Sequence, residues 1–280
     1  MTTPAIVKPF SECRITLFRE PYVYGYIDDF LPEETYRRLA ASFLDPGDTG
    51  NSEVLKYGKK RILFLAPPVP DDIPFNQEWK ELVAAISSPG YIADCYNWIR
   101  DNYNHELHPD ETYAKMTEER FKMEAADLRM QCEFSSLDGG TFLAPHSDSP
   151  DKFMSCILYF APDEWRSEYG GGTSVFVPKD SSCQKNWNNR FLTADDVTTA
   201  FTCDFVPNRL FFFIKNHNSW HGLSPVTAPE GMQRRSFNFS LQCDRKHLEN
   251  SSAAPYLETI RRQEGRTHFF SRIRRFFKRA

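Results

Sequence analysis

The sequence predicts a mainly β protein with flanking helices, its strands gathered into a sandwich or jelly roll. Three observations carry this. From residue 127 onward, runs of β-formers (Leu128–Ser135, Phe153–Phe160, Thr173–Val177) alternate with turn signals at Asp138-Gly139-Gly140 and Tyr169-Gly170-Gly171-Gly172. Aromatic residues make up 15% of the chain, led by 24 Phe, and such side chains suit thick β-cores and lined pockets. No βαβ alternation, glycine-rich phosphate loop or internal repeat is present.

The elements follow in order. Residues 1–20 read as an irregular lead-in with one strand at Arg14–Phe18, and Tyr22–Ile27 is rich in β-formers. Pro32 followed by Glu33 and Glu34 suits a helix start, and Tyr36, Leu39 and Phe43 recur at helical spacing, predicting an amphipathic helix over 32–44. Residues 45–53 form a turn region, Arg61–Leu65 a short strand ended by Ala66-Pro67-Pro68, and 74–87 a second helix. Residues 90–104 read as helix or mixed structure and the charged stretch 105–124 as helix or loop. Beyond the strands named above, 178–200 reads as a long polar excursion, and Phe205–Pro207, Arg209–Lys215 and Arg235–Gln242 complete the strand set.

The 280 residues suffice for one large domain, or one domain with an attached helical layer, and 40% hydrophobic with 26% charged residues is ordinary globular composition. The net charge of −4 is uneven. Residues 261–280 hold eight Lys/Arg and one acid, leaving 26 basic against 37 acidic residues elsewhere, a net of −11. An acidic body gives no case for nucleic-acid binding. The seven cysteines are scattered and form no CxxC pair, which argues against a disulfide framework or a zinc-thiolate site. The first residues lack a basic and apolar leader pattern, and no apolar run is long enough to span a bilayer, so a cytoplasmic setting is expected.

His146 and Asp148 stand two apart, so an extended segment turns both toward one side, where one ion can take both. His221 follows 73 residues later in Asn218-Ser219-Trp220-His221-Gly222. Two His and one carboxylate can form a facial triad, which leaves metal positions open. Alone, a His-x-Asp pair or a His beside Gly is commonplace. The third element is Arg234-Arg235-Ser236-Phe237-Asn238-Phe239, whose alternation puts Arg234, Ser236 and Asn238 on one face and the two Phe on the other. An arginine on a cavity face can hold a carboxylate bidentately, with Ser236 donating a further hydrogen bond.

With these blocks in this order, PHSDSPDKFMSCILYF, DEWRSEYGGGTSVF, FVPNRLFFF, NSWHGLSPV and RRSFNF, the chain resembles the 2-oxoglutarate/Fe(II) oxygenase superfamily, in particular its prolyl-4-hydroxylase-like branch. The resemblance covers roughly 125–245, and YIDDFLPEETYRRL is similar to the family's entry strand and helix. It implies a double-stranded β-helix (jelly-roll, cupin-like) core over about 126–245, a helix-rich part over about 20–125, and one catalytic domain over 1–250. It implies Fe(II) on His146, Asp148 and His221, with 2-oxoglutarate and O2 as cosubstrates. Its 2-oxoglutarate arginine falls on Arg234, with Arg235 the alternative if a bulge shifts the register. Tyr159 falls on a tyrosine that bonds the distal carboxylate, and Ser155, four residues before it, shares its face. Because Asp148 keeps the carboxylate that related halogenases lack, hydroxylation or a related oxidation is the implied outcome, with release of succinate and CO2.

The substrate, a small molecule or a peptide side chain, is left to the loops around 45–60, 149–152 and 178–200; Lys179, Lys185 and Arg190 in the last hint at an anionic or polar one. Lys152 and Trp165 read as substrate-loop or structural residues, Trp220 as packing beside the ligand, and Asn218 as either a metal-shell or a turn residue. The competing classes are a non-catalytic binder on the same scaffold and a different cupin-type metal enzyme. The tail 251–280 ends in HFFSRIRRFFKRA. There Phe269, Phe270, Ile273, Phe276 and Phe277 recur at helical spacing among basic residues, a pattern for peripheral membrane contact or self-association.

Overall fold

The computed structural model describes residues 6–46, 53–54, 60–65, 67, 75–104, 110–184 and 191–258. The basic segment 268–280 and the loop residues Lys185 and Arg190 lie outside the described residues.

Twelve strands are described, β1 (Thr16–Phe18), β2 (Tyr24–Ile27), β3 (Glu53–Val54), β4 (Lys60–Leu65), β5 (Leu128–Leu137), β6 (Leu143–His146), β7 (Lys152–Phe160), β8 (Thr173–Pro178), β9 (Val197–Cys203), β10 (Leu210–Ile214), β11 (His221–Leu223) and β12 (Arg234–Cys243). They form an eight-stranded sheet, β1-β2-β10-β7-β12-β5-β4-β3, and a four-stranded sheet, β6-β11-β8-β9. The pairings are antiparallel throughout. This is the expected mainly β architecture with flanking helices and a double-stranded β-helix core.

Four helices accompany the larger sheet, α1 (Glu33–Ala41), α2 (Gln77–Ile86), α3 (Pro89–Asn102) and α4 (Glu111–Phe121). Each starts where the sequence chemistry favours it. Pro32 precedes α1, and Glu33 and Glu34 in its first turn pair with Arg37 and Arg38 at 2.7 Å. The side chains of Asn76, Ser88 and Asp110 accept backbone N–H groups at the starts of α2, α3 and α4. α2 buries Trp79, Leu82, Val83 and Ile86, the i, i+3, i+4, i+7 stripe of a helix laid on a sheet. Trp79 packs against Phe134 at 4.6 Å and Phe237 at 5.2 Å, centroid to centroid. The main core therefore lies between the helices and one face of the larger sheet. The opposite face, carrying Gln131, Glu133, Ser135, Arg234 and Asn238, lines a cavity shared with the smaller sheet.

The open readings of 90–104 and of the segment after 110 resolve as helices α3 and α4. The strand expected at Phe205–Pro207 is instead a connection. The strand runs earlier, as β9, and Pro207 leads into a turn at Asn208, whose φ is +55°. β9 is an edge strand exposed at most positions, so its Val-Thr-Thr-Ala-Phe-Thr-Cys looks like polar loop. The short strands β6 and β11, four and three residues long, are too brief to show a period of two.

Candidate metal centre and cosubstrate pocket

His146 ends β6, Asp148 follows two residues on, and His221 begins β11. β6 and β11 pair with His221 directly opposite His146, which brings the imidazoles to a centroid distance of 4.2 Å. One ligand atom from each of His146, Asp148 and His221 lies within 4.8 Å of the others, and all three residues are buried. β11 can approach β6 this closely because Gly222 has no side chain: a Cβ there would stand 2.6 Å from the carbonyl oxygen of Leu143.

Nδ1 of His146 lies 3.0 Å from the carbonyl oxygen of Ala144, and Nδ1 of His221 lies 3.0 Å from that of Ser219. A carbonyl only accepts, so each Nδ1 carries the proton and each Nε2 keeps its lone pair for a metal. Burial, with His221 beside it, lowers the His146 pKa to about 3, and burial lowers that of His221 too. Burial raises the Asp148 pKa, but Lys152, both imidazoles and a hydrogen bond from Ser155 outweigh it and hold the carboxyl ionised. Neutral imidazoles and an ionised carboxylate are the protonation states that metal ligation requires. The donor set therefore fits a divalent ion of the Fe(II) class.

Both oxygens of Asp148 are engaged. Ser155 Oγ donates to Oδ2 at 2.7 Å, and Lys152 Nζ lies 3.1 Å from Oδ1. Ser155, expected near the cosubstrate, thus holds the carboxylate while lining the cavity.

Arg234 is buried and lines the same cavity, whereas Arg235 lies on the other face of β12, bonded to Gln233 and over the Phe43 ring at 5.7 Å. No bulge shifts the register between β12 and β5 over these residues. Arg234 Nε donates to Gly171 O at 2.6 Å, Nη1 donates to Ser236 Oγ at 3.1 Å, and the guanidinium lies over the Tyr159 and Phe205 rings at 5.2 and 5.0 Å. Among the described residues no carboxylate pairs with it. A buried cation with no counter-ion is costly, and burial lowers its pKa, so the arrangement suits a ligand carboxylate. Ser236, accepting from Arg234, retains its own proton to donate.

Tyr159 is fully buried, with its hydroxyl donating to Thr173 Oγ1 at 2.7 Å. Thr173 itself lines the cavity. No local pattern marks Thr173, because its place depends on the β8–β11 pairing. Lys152, expected as a substrate-loop or structural residue, pairs with Asp148 and lines the cavity. The other candidates are structural. Trp220 is buried with Nε1 donating to Cys183 O at 3.2 Å, Trp165 Nε1 donates to Gly170 O at 3.2 Å, and Asn218 Nδ2 donates to Pro21 O at 2.8 Å. The cavity holds about 310 Å³.

Residues 132–241 match the family model described as the 2OG-Fe(II) oxygenase superfamily. No curated protein matches the sequence. Among solved structures, a Pseudomonas putida prolyl-4-hydroxylase is 17% identical with a TM-score of 0.47, covering 79% of this chain and 92% of that one. A Trichoplax adhaerens prolyl hydroxylase, solved with a hypoxia inducible factor peptide fragment, is 14% identical with a TM-score of 0.47 and coverages of 81% and 87%. HygX from Streptomyces hygroscopicus, solved with nickel and 2-oxoglutarate, is 10% identical with a TM-score of 0.45 and coverages of 79% and 82%. No described helix is long and apolar enough to cross a membrane.

Proposed function

We propose that the protein is an Fe(II)- and 2-oxoglutarate-dependent dioxygenase that hydroxylates a C–H bond of a small molecule or a peptide side chain, residues 1–250 forming one catalytic unit. The observation that carries this is the buried triad in one cavity with an uncompensated buried arginine. Bound iron(II) supplies the oxygen activation that couples decarboxylation of 2-oxoglutarate, to succinate and CO2, with substrate oxidation.

The chain's own residues do the rest. His146 and His221 present Nε2, fixed by their backbone bonds, and Asp148 presents an oxygen steadied by Ser155. Arg234, with Ser236, receives the far carboxylate of 2-oxoglutarate, and Thr173 with Tyr159 completes that end of the pocket. Phe191 stacks on His146 at 5.2 Å and screens the ligand from water. Residues 268–280 support a peripheral contact, with an anionic surface or a second copy; loss of vesicle partition on their truncation is the expected sign of the former.

Anaerobic addition of Fe(II) and then 2-oxoglutarate tests the reading. A visible charge-transfer band is expected, and its absence with the metal bound defeats the proposal.

A further inference from the structure

We propose that Lys152 is the docking point for the oxidised substrate, which is a carboxylate-bearing molecule with an apolar body. This rests on the Fe(II)/2-oxoglutarate reading above.

Lys152 lines the cavity, and 29% of its side chain is exposed there. An ammonium has three donors. Among the described residues its one carboxylate contact within ion-pair distance is Asp148 Oδ1 at 3.1 Å, with Glu133 and Asp151 more distant electrostatic partners. Glu133 is already committed in part, since its Oε1 accepts from Asn238 Nδ2 at 2.9 Å.

The charges then decide. A divalent ion on the triad takes the Asp148 charge away from Lys152. The two carboxylates of 2-oxoglutarate, with Asp148, balance the metal and Arg234. Nothing in that set covers the ammonium, which is left with donors facing the cavity beside the triad. A carboxylate on the substrate fills this place, and the carbon next to it is brought to the metal.

The mouth supplies the rest of the class. Among the described residues three large hydrophobics are exposed, Phe64 at 49%, Phe142 at 46% and Phe191 at 43%. Two of them, Phe64 on β4 and Phe191 on the facing side, line this cavity. Exposed rings beside a polar floor favour a ligand with an apolar body and a charged head.

The test uses the full chain, loaded anaerobically with Fe(II) and 2-oxoglutarate, and calorimetric titration with three matched pairs: acetate and acetamide, phenylacetate and phenylacetamide, octanoate and octanamide. At least one carboxylate is expected to bind about 10- to 100-fold more tightly than its amide, the range of a charge-assisted hydrogen bond. Lys152→Gln should abolish this preference and Lys152→Arg should keep it. Phe64→Ala should weaken phenylacetate and octanoate more than acetate.

The proposal is overturned if no carboxylate outbinds its amide, or if the preference survives in Lys152→Gln, as it would were Lys152 paired with Glu133. It is also overturned if that variant loses 2-oxoglutarate affinity instead, which would make Lys152 a cosubstrate anchor. A normal charge-transfer band with flat titrations sinks this proposal alone, whereas a missing band sinks the reading beneath it.

Discussion

At the scale of single residues, Asp148 and Arg234 divide the site between a metal end and a carboxylate end. Asp148→Ala removes the only carboxylate of the triad and leaves Lys152 without its nearest counter-ion. The expected result is loss of Fe(II) binding, read by titration of the metal-free protein. Arg234→Ala should leave the metal in place and weaken 2-oxoglutarate by about 2–4 kcal/mol, on the order of 30- to 1,000-fold, as expected when one side of a buried charge-assisted pair is removed. The charge-transfer band followed against cosubstrate concentration measures it. Tyr159→Phe should cost far less, about 1 kcal/mol, because that hydroxyl is already satisfied by Thr173. The residues legible in the sequence were those whose role is set by local spacing: His146 with Asp148, and Arg234 with Ser236. Thr173 was not, because its meaning depends on which strand faces it across the cavity.

At the scale of elements, the site hangs on a pairing of very short strands. β11 has three residues, and its Gly222 admits the Leu143 carbonyl where a Cβ would stand 2.6 Å away. Gly222→Ala must therefore push β11 from β6 and pull His221 away from His146. Fe(II) affinity is expected to fall at least about tenfold while the helical layer, far from the clash, keeps its circular dichroism. The helices were readable because caps and apolar stripes are local signals. β9 was not, since an exposed edge strand of threonines carries no buried face to betray it. Phe205–Pro207 looked better by composition, but Pro207 and the left-handed Asn208 turn the chain there.

At the scale of the whole molecule, the two sheets divide their work. One face of the larger sheet is sealed by helices through Trp79, and its other face is kept polar for the cavity. Trp79→Ala should cost about 3–5 kcal/mol of stability, measured by urea unfolding, without directly touching the ligands. Acid acts on the fold through the buried imidazoles. The His146 pKa is depressed from 6.5 to about 3, so the unfolded chain takes up its proton first as pH falls. Its contribution is present above 6.5 and drains away as pH falls toward about 3. Urea midpoints of the metal-free protein should fall over this window, and less steeply in His146→Gln.

The two imidazoles are steered in the same way, each by the main-chain carbonyl two residues before it, Ala144 for His146 and Ser219 for His221. Neither steering group is a side chain, so neither can be deleted by a substitution that leaves the backbone path intact. The alignment of the metal's nitrogen ligands is thereby insulated from drift in the surrounding sequence. Pocket residues are free to diversify toward new substrates while the oxidising machinery they surround stays in tune.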